Sequence, residues 1–156
     1  MSVSSSEFAG ISKDICAQAW EMVRPGFERG VDMGLLNGLR GGLVVLDPAD
    51  LGGEPLFTAG VGEGADEFID NALHKARLSA REQIDTSRLR QDYPHRYRAG
   101  DIKWPGGIYR DGVVLGFSGV QGEYDEMVCE WMVAAIRAIS RIQFADADAA
   151  DGRFLG

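Results

Sequence analysis

Lys75 is the residue whose type and position most invite chemistry. In "ALHKARLSAR" it follows Ala72 by three positions, on the side of a helix that would face a sheet. Its stem can then pack while the ammonium reaches a cavity. A lysine so placed binds anions, or acts as a base where burial lowers its pKa. Downstream, "WPGGIYRDGVVLGFSGV" (104–120) carries Gly106-Gly107 and Ser118-Gly119 at the outer ends of two short apolar runs, joined by a turn at 110–112. The turn would bring the two pairs together, and bare backbone there would offer N–H groups to a ligand within reach of Lys75. Lys75, Gly106, Gly107, Ser118 and Gly119 thus define a candidate anion pocket, with Tyr109 or Asp47 assisting proton transfer.

Other chemistries are less well supported. His74 and His95 are the two histidines, and neither has a partner at HxxxH or HxxE spacing. Ser118 sits in "GFSGV", which has the letters of GxSxG, but a nucleophile elbow needs a strand followed at once by a helix in a larger chain. "GVGEGA" (60–65) lacks the Lys-Ser/Thr ending of a P-loop and reads as a loop. Residues 74–103 are locally cationic: Arg77, Arg81, Arg88, Arg90, Arg96, Arg98 and Lys103 join Lys75, opposed by Glu82, Asp85, Asp92 and Asp101. With Tyr93, Tyr97 and Trp104 interleaved, Arg96, Arg98 and Trp104 suit a flat carboxylated ligand. A solvated helix face with internal ion pairs, or packing between subunits, accounts for the same pattern.

These residues need elements to position them. Ser12 can cap a helix whose apolar positions are Ile15, Ala19, Met22 and Val23, and Pro25-Gly26 should interrupt it, leaving a broken helical stretch up to Arg40. "GGLVVLDP" (41–48) and "EPLFTAGV" (54–61) read as a hairpin. A helix from about Asp66 presents Ile69, Leu73, Ala76 and Ala80, and a long polar connection over 85–106 precedes the second hairpin. A terminal helix over about 123–142 carries Val128, Trp131, Met132, Ala135, Ile139 and Ile142. Two tight hairpins among three helices predict an α+β chain with an antiparallel sheet covered by helices. The expected organisation is a loose arm over 1–11, one domain over 12–142 and a frayed tail over 143–156.

Composition sets bounds on partners. A chain of 156 residues with net charge −8 does not suit nucleic acid or an anionic membrane, since both need a basic surface. No apolar run approaches the roughly 20 residues that span a bilayer, and "MSVSSSEFAG" has no signal-peptide pattern. Cys16 and Cys129 form no CxxC pair and read as buried thiols in a reduced, cytoplasmic setting.

Four motifs in order resemble the GlcG/HbpS-like family, also called the haem-degrading or DUF336 domain, which includes the C-terminal domain of PduO-type proteins. Ala72, Lys75, Ala76, Ser79 and Ala80 match its helix; Gly106 and Gly107 match its first strand, and Gly112 its turn. Gly116, Ser118 and Gly119 match the second strand, and Asp125 and Glu126 the acidic helix start; "GGLVVLDPADLGGEPLFTAGVG" resembles its other hairpin. Tyr109 and the inserted "RPGFERGVDMGLLNGLR" depart from the pattern. The resemblance covers about residues 12–140. It implies a profilin-like, three-layer α/β/α sandwich with a central antiparallel sheet, oligomer formation and, in several members, haem binding. On that reading the protein binds an anionic small molecule, haem or a related tetrapyrrole among the candidates, with His74 or His95 as axial ligand and arginines pairing the propionates. A small-molecule catabolic enzyme acting on an organic acid through the Lys75 pocket is the alternative. A third is an oligomeric scaffold using Met127, Trp131 and Met132 as a homo-oligomer interface.

Overall fold

Ser12 starts the first helix as the sequence implies: its hydroxyl accepts the Ile15 N–H at 3.2 Å. In the computed structural model, which describes residues 10–156, that helix is α1 (Lys13–Asp32) and runs unbroken through Pro25. The expected break does not occur. Ile15, Ala19, Val23, Phe27 and Gly30 continue one buried face across the proline, which itself is exposed, so packing offsets the lost backbone hydrogen bond. The arm expected over 1–11 falls on residues 1–9, outside the described residues, and on Gly10 and Ile11 before the cap.

The remaining elements are β1 (Gly41–Val45), β2 (Phe57–Val61), α2 (Ala65–Glu82), α3 (Thr86–Asp92), β3 (Gly107–Arg110), β4 (Val113–Ser118) and α4 (Gly122–Ala149). Both hairpins form, and the polar connection contains a short helix, α3, and a 3-10 turn at Pro94–Arg96. Asp111 and Gly112 both have positive φ, 52° and 82°, which is the backbone a two-residue hairpin turn requires. The sheet order is β2-β1-β4-β3, with every pair antiparallel. α4 runs on to Ala149 rather than ending near 142, because the alanine-rich "ADADAA" retains helix propensity after the apolar stripe has stopped.

Strand alternation divides the interior into two layers. Leu43, Val45, Ile108, Leu115 and Phe117 face α1 and α4, in a core with Trp20, Phe27, Val128, Met132 and Ile136. Val44, Leu46 and Val114 face α2, in a smaller cluster with Ala72 and Ala76. The fold is therefore the expected α+β, three-layer α/β/α sandwich, with α2 alone on one face of an antiparallel sheet. No helix among the described residues is long and apolar enough to cross a membrane.

Candidate functional site

The surplus glycines of the two hairpins lie on one face of the sheet in two adjacent cross-strand rows, and what approaches them is α2. Gly42 pairs with Gly60 on one side and Ser118 on the other, and Gly107 pairs with Gly116. A Cβ on Gly42 would overlap the Ile69 backbone, one on Gly116 the Ala72 carbonyl, and one on Gly107 the Lys75 carbonyl. The helix thus lies on the strands backbone to backbone, touching through Ala65, Ile69, Ala72, Ala76 and Ser79. This stripe is rotated from the expected Ile69/Leu73/Ala76/Ala80 face. Small residues face the glycines, and Leu73 and Ala80 lie at the margin of the contact, partly buried.

That seating carries Lys75 to the end of the sheet, where its side chain is almost fully buried, at 3% exposure. The ammonium donates to the Phe117 carbonyl at 3.2 Å and to Asp125 Oδ2 at 3.2 Å. Asp125 projects from the first turn of α4, and its Oδ1 accepts the Val120 N–H at 3.0 Å. Burial pushes the Asp125 carboxyl up to about 6, with Lys75 pulling the other way. The pair bridges the two helical layers and forms the floor of a cleft of about 400 Å³. Ser118, Gly119, Val120 and Pro105 form its walls, with Arg40, Phe68, Asn71 and Trp104 around them.

The structure brings Lys75, Ser118 and Gly119 together as the sequence implied, adds Trp104 to them without its expected companions Arg96 and Arg98, and packs Gly106 against the Lys75 stem. The N–H groups of Gly106 and Gly107 are not free for a ligand, however. Both donate to Thr86 Oγ1, at 2.9 and 3.0 Å, so a backbone anion cradle at this pair is corrected to an internal hydrogen-bond hub. Thr86 in turn donates to Glu126 (3.1 Å), whose carboxylate also accepts from the Ser87 N–H and hydroxyl. Burial raises the Glu126 carboxyl above its usual range, and these donors oppose the rise.

The other candidates lie elsewhere. Asp47 is near the opposite end of β1, roughly 16 Å from Gly42 along an extended chain, where its side chain closes a turn onto the Ala49 N–H. Tyr109 packs in the cluster under α2, and its N–H is bonded to Asp85. Neither lines the Lys75 cleft, so proton transfer there does not pass through them. Arg96 is engaged by Glu82 at 2.7 Å, and the Arg98 backbone by Asp101 at 2.7 Å. His74 is exposed, 3.8 Å from Asp70, and lines a separate, smaller cleft with Arg77 and Arg81. His95 stands edge-on to Tyr93. Neither histidine borders the Lys75 cleft, and no group of three metal-ligating side chains occurs among the described residues. Cys16 and Cys129 are free and buried, and burial raises both thiols, Cys16 to about 12.

Arg40 and Asn71 are site residues absent from the sequence motifs, and Asp125 entered them only as part of an acidic helix start. Asp125 had a signal: 125, 129, 132 and 136 fall at helical spacing on the buried stripe of α4, so an acid there faces inward and needs a partner. Arg40 and Asn71 had none, since only the approach of α2 to the start of β1 brings them to one rim.

No family model matches the sequence, and no curated protein matches it. Solved structures do. The Klebsiella pneumoniae protein ORFY, of the DUF336 family model, superposes with a TM-score of 0.62 at 16% identity, covering 88% of this chain and 99% of that one. The chain has the fold of the DUF336 protein ORFY. A double mutant of Streptomyces reticuli HbpS gives a TM-score of 0.58 at 18% identity, covering 86% of this chain and 93% of its own. The PduOC:heme complex gives 0.58 at 18%, covering 81% and 95%. The likeness to GlcG/HbpS-like proteins that the motifs carried is therefore present in the fold. Its motif residues have a structural meaning here: Ala72, Lys75, Ala76 and Ser79 are the points where α2 touches Gly107 and Gly116.

Proposed function

We propose that this is a small-molecule-binding protein of the GlcG/HbpS-like kind, and that its ligand occupies the cleft floored by Lys75 and Asp125. The observation that carries this reading is the buried ion pair itself. A lysine and a carboxylate taken out of water are costly unless well paired, and apolar residues would have closed the gap between α2 and α4 at less cost. Here the pair lies at the base of an opening of about 400 Å³, within the range of small-ligand pockets.

Haem is the second reading, favoured by the PduOC:heme complex among the similar structures. Arg40 suits a propionate and Trp104 suits a flat macrocycle. Iron is less well served: the cleft lining contains no His, Cys, Met or Tyr, the usual protein ligands of haem iron. When bound, haem would supply redox or ligand-binding chemistry at its iron; the chain's own residues supply the two anchoring contacts.

Amide chemical-shift mapping with a library of small organic acids tests the site. Shifts should cluster at Trp104, Ser118, Gly119 and Val120, whereas shifts confined to the His74/Arg77/Arg81 face would overturn the assignment. A hemin titration separates the second reading. A Soret shift that survives His74→Ala and His95→Ala but is lost in Arg40→Gln or Trp104→Ala would favour haem in the cleft, and no Soret shift would remove haem from consideration.

A further inference from the structure

The polar groups around the Lys75 cleft are unevenly satisfied, and the imbalance has a chemical sign. An ammonium has three N–H donors. Lys75 directs two to Phe117 and Asp125, which leaves one without a partner among the described residues. Ser118 is only 7% exposed, borders the cleft, and its hydroxyl has no protein partner among the described residues. The Asn71 amide and the Arg40 guanidinium, both on the rim, are likewise unpartnered among those residues. The acceptors at the floor are already engaged, since Asp125 takes one hydrogen bond on each oxygen and the Phe117 carbonyl takes Lys75, and the open side-chain oxygens are those of Asn71 and Ser118, groups that also donate. The cleft is therefore rich in unmet donors.

Charge narrows the class further. Among the lining residues, Arg40 and Lys75 carry positive charge and Asp125 carries negative, a balance of one positive charge in a protein whose net charge is −8. One anionic group neutralises it; a doubly charged anion would overcompensate inside an acidic molecule. Shape supplies the last constraint. Trp104, Phe68 and Pro105 line the same opening, and such surfaces favour a flat apolar body over a hydrated one. At about 400 Å³ the cleft is near the small end of ligand pockets, roughly 300–1,000 Å³.

We infer that the cleft selects a flat, singly charged carboxylate: an aromatic or conjugated monocarboxylic acid whose carboxylate meets Arg40, Lys75 and Ser118 and whose ring lies among Trp104, Phe68 and Pro105. This rests on the small-molecule reading above and specifies it.

The test uses the intact protein and four probes followed by amide and indole chemical shifts: benzoate, benzamide, cyclohexanecarboxylate and phenylphosphonate. Benzoate should shift the Trp104 indole and the Gly119 and Val120 amides and bind most tightly. Benzamide has the same shape without the charge, and should bind at least about tenfold more weakly, the equivalent of 1.4 kcal/mol. Arg40→Gln should weaken benzoate to the level of benzamide, and Trp104→Ala should remove the preference for benzoate over cyclohexanecarboxylate. Both side chains are on the rim, so both variants should keep the wild-type melting temperature. Benzamide binding as tightly as benzoate, or phenylphosphonate more tightly, at these same residues would overturn the class while leaving the site. Probes that shift nothing around Trp104, Gly119 and Val120 would overturn both.

Discussion

On one face of the sheet, Leu43, Val45, Ile108, Leu115 and Phe117 meet α1 and α4 through interlocked apolar side chains. On the other, Gly42, Gly107 and Gly116 meet α2 through backbone, and the seam ends in the buried Lys75–Asp125 pair. The first arrangement is tolerant, because a side chain of similar volume can replace another with modest loss. The second is not, since no smaller residue than glycine exists and a buried charge cannot lose its partner cheaply. Stability is distributed over the α1/α4 layer. Position, and with it the site, is set by the α2 layer.

The largest expected effect comes from breaking the ion pair. Asp125→Asn turns an NH2 donor toward either the Lys75 ammonium or the Val120 N–H, two groups that are themselves donors, and should cost about 3 kcal/mol in urea unfolding. Replacing both partners, Lys75→Met with Asp125→Leu, should restore stability to within about 1 kcal/mol of wild type or exceed it. Equal losses in the single and double variants would mean that the pair is needed for the fold itself rather than for the cleft. The pH profile gives a second signature. The Asp125 carboxyl, raised by burial to about 6 from 3.8, binds its proton more tightly in the folded than in the unfolded chain. Its contribution therefore grows as pH falls from about 6 to 4 and is lost as pH rises through that window. Glu82 and Asp101, lowered chiefly by their hydrogen bonds from Arg81, have the opposite slope. Asp125→Asn should remove the first slope and leave the second.

Next in size are the glycines under α2. A Cβ on Gly116 would overlap the Ala72 carbonyl and crowd the Ala76 nitrogen, backbone atoms that cannot turn aside. Gly116→Ala should therefore cost about 3 kcal/mol, the upper end of ordinary overpacking. On the other face, Ile136→Val deletes one buried methylene and should cost about 1 kcal/mol. Thermal melts of the two variants side by side would break the comparison if Ile136→Val proved the more damaging.

Much of this was legible in the sequence, and the boundary of legibility is physical. The two hairpins follow from turn chemistry and short apolar runs, and Asp111-Gly112 makes its turn from local preference alone. Lys75 was found because helix spacing places it with Ala72. Its partner Asp125 is distant in sequence and was quoted only as part of a helix start. The glycines were read as close approach to a ligand, and close approach is what they provide, but to α2. Local sequence can show that something must come near a glycine without showing whether it is a ligand or the chain itself. The unbroken α1 and the hub at Thr86 escaped for the same reason: packing against a distant partner outweighs a local signal.

The smallest effect concerns two arginines that the sequence could not rank, Arg40 and Arg96. Arg96 belongs to the basic, aromatic-dotted segment that looked fit for an anion, yet it is held by Glu82 at 2.7 Å with its side chain 38% exposed. Glu82 is also held by Arg81, which forks onto Asp101 at 2.7 and 2.8 Å. Loss of Arg96 thus leaves its carboxylate still paired, and a partly exposed ion pair contributes little: Arg96→Gln should change stability by less than about 1 kcal/mol, and by less still in high salt. Benzoate affinity should not change at all in this variant, because Arg96 does not border the Lys75 cleft. Arg40 has no such carboxylate partner among the described residues, and its substitution should weaken benzoate without altering the melt. If Arg96→Gln weakened benzoate instead, the basic segment and not the cleft would be the anion site. The contrast would then favour an exposed charged surface over the seam between α2 and the sheet.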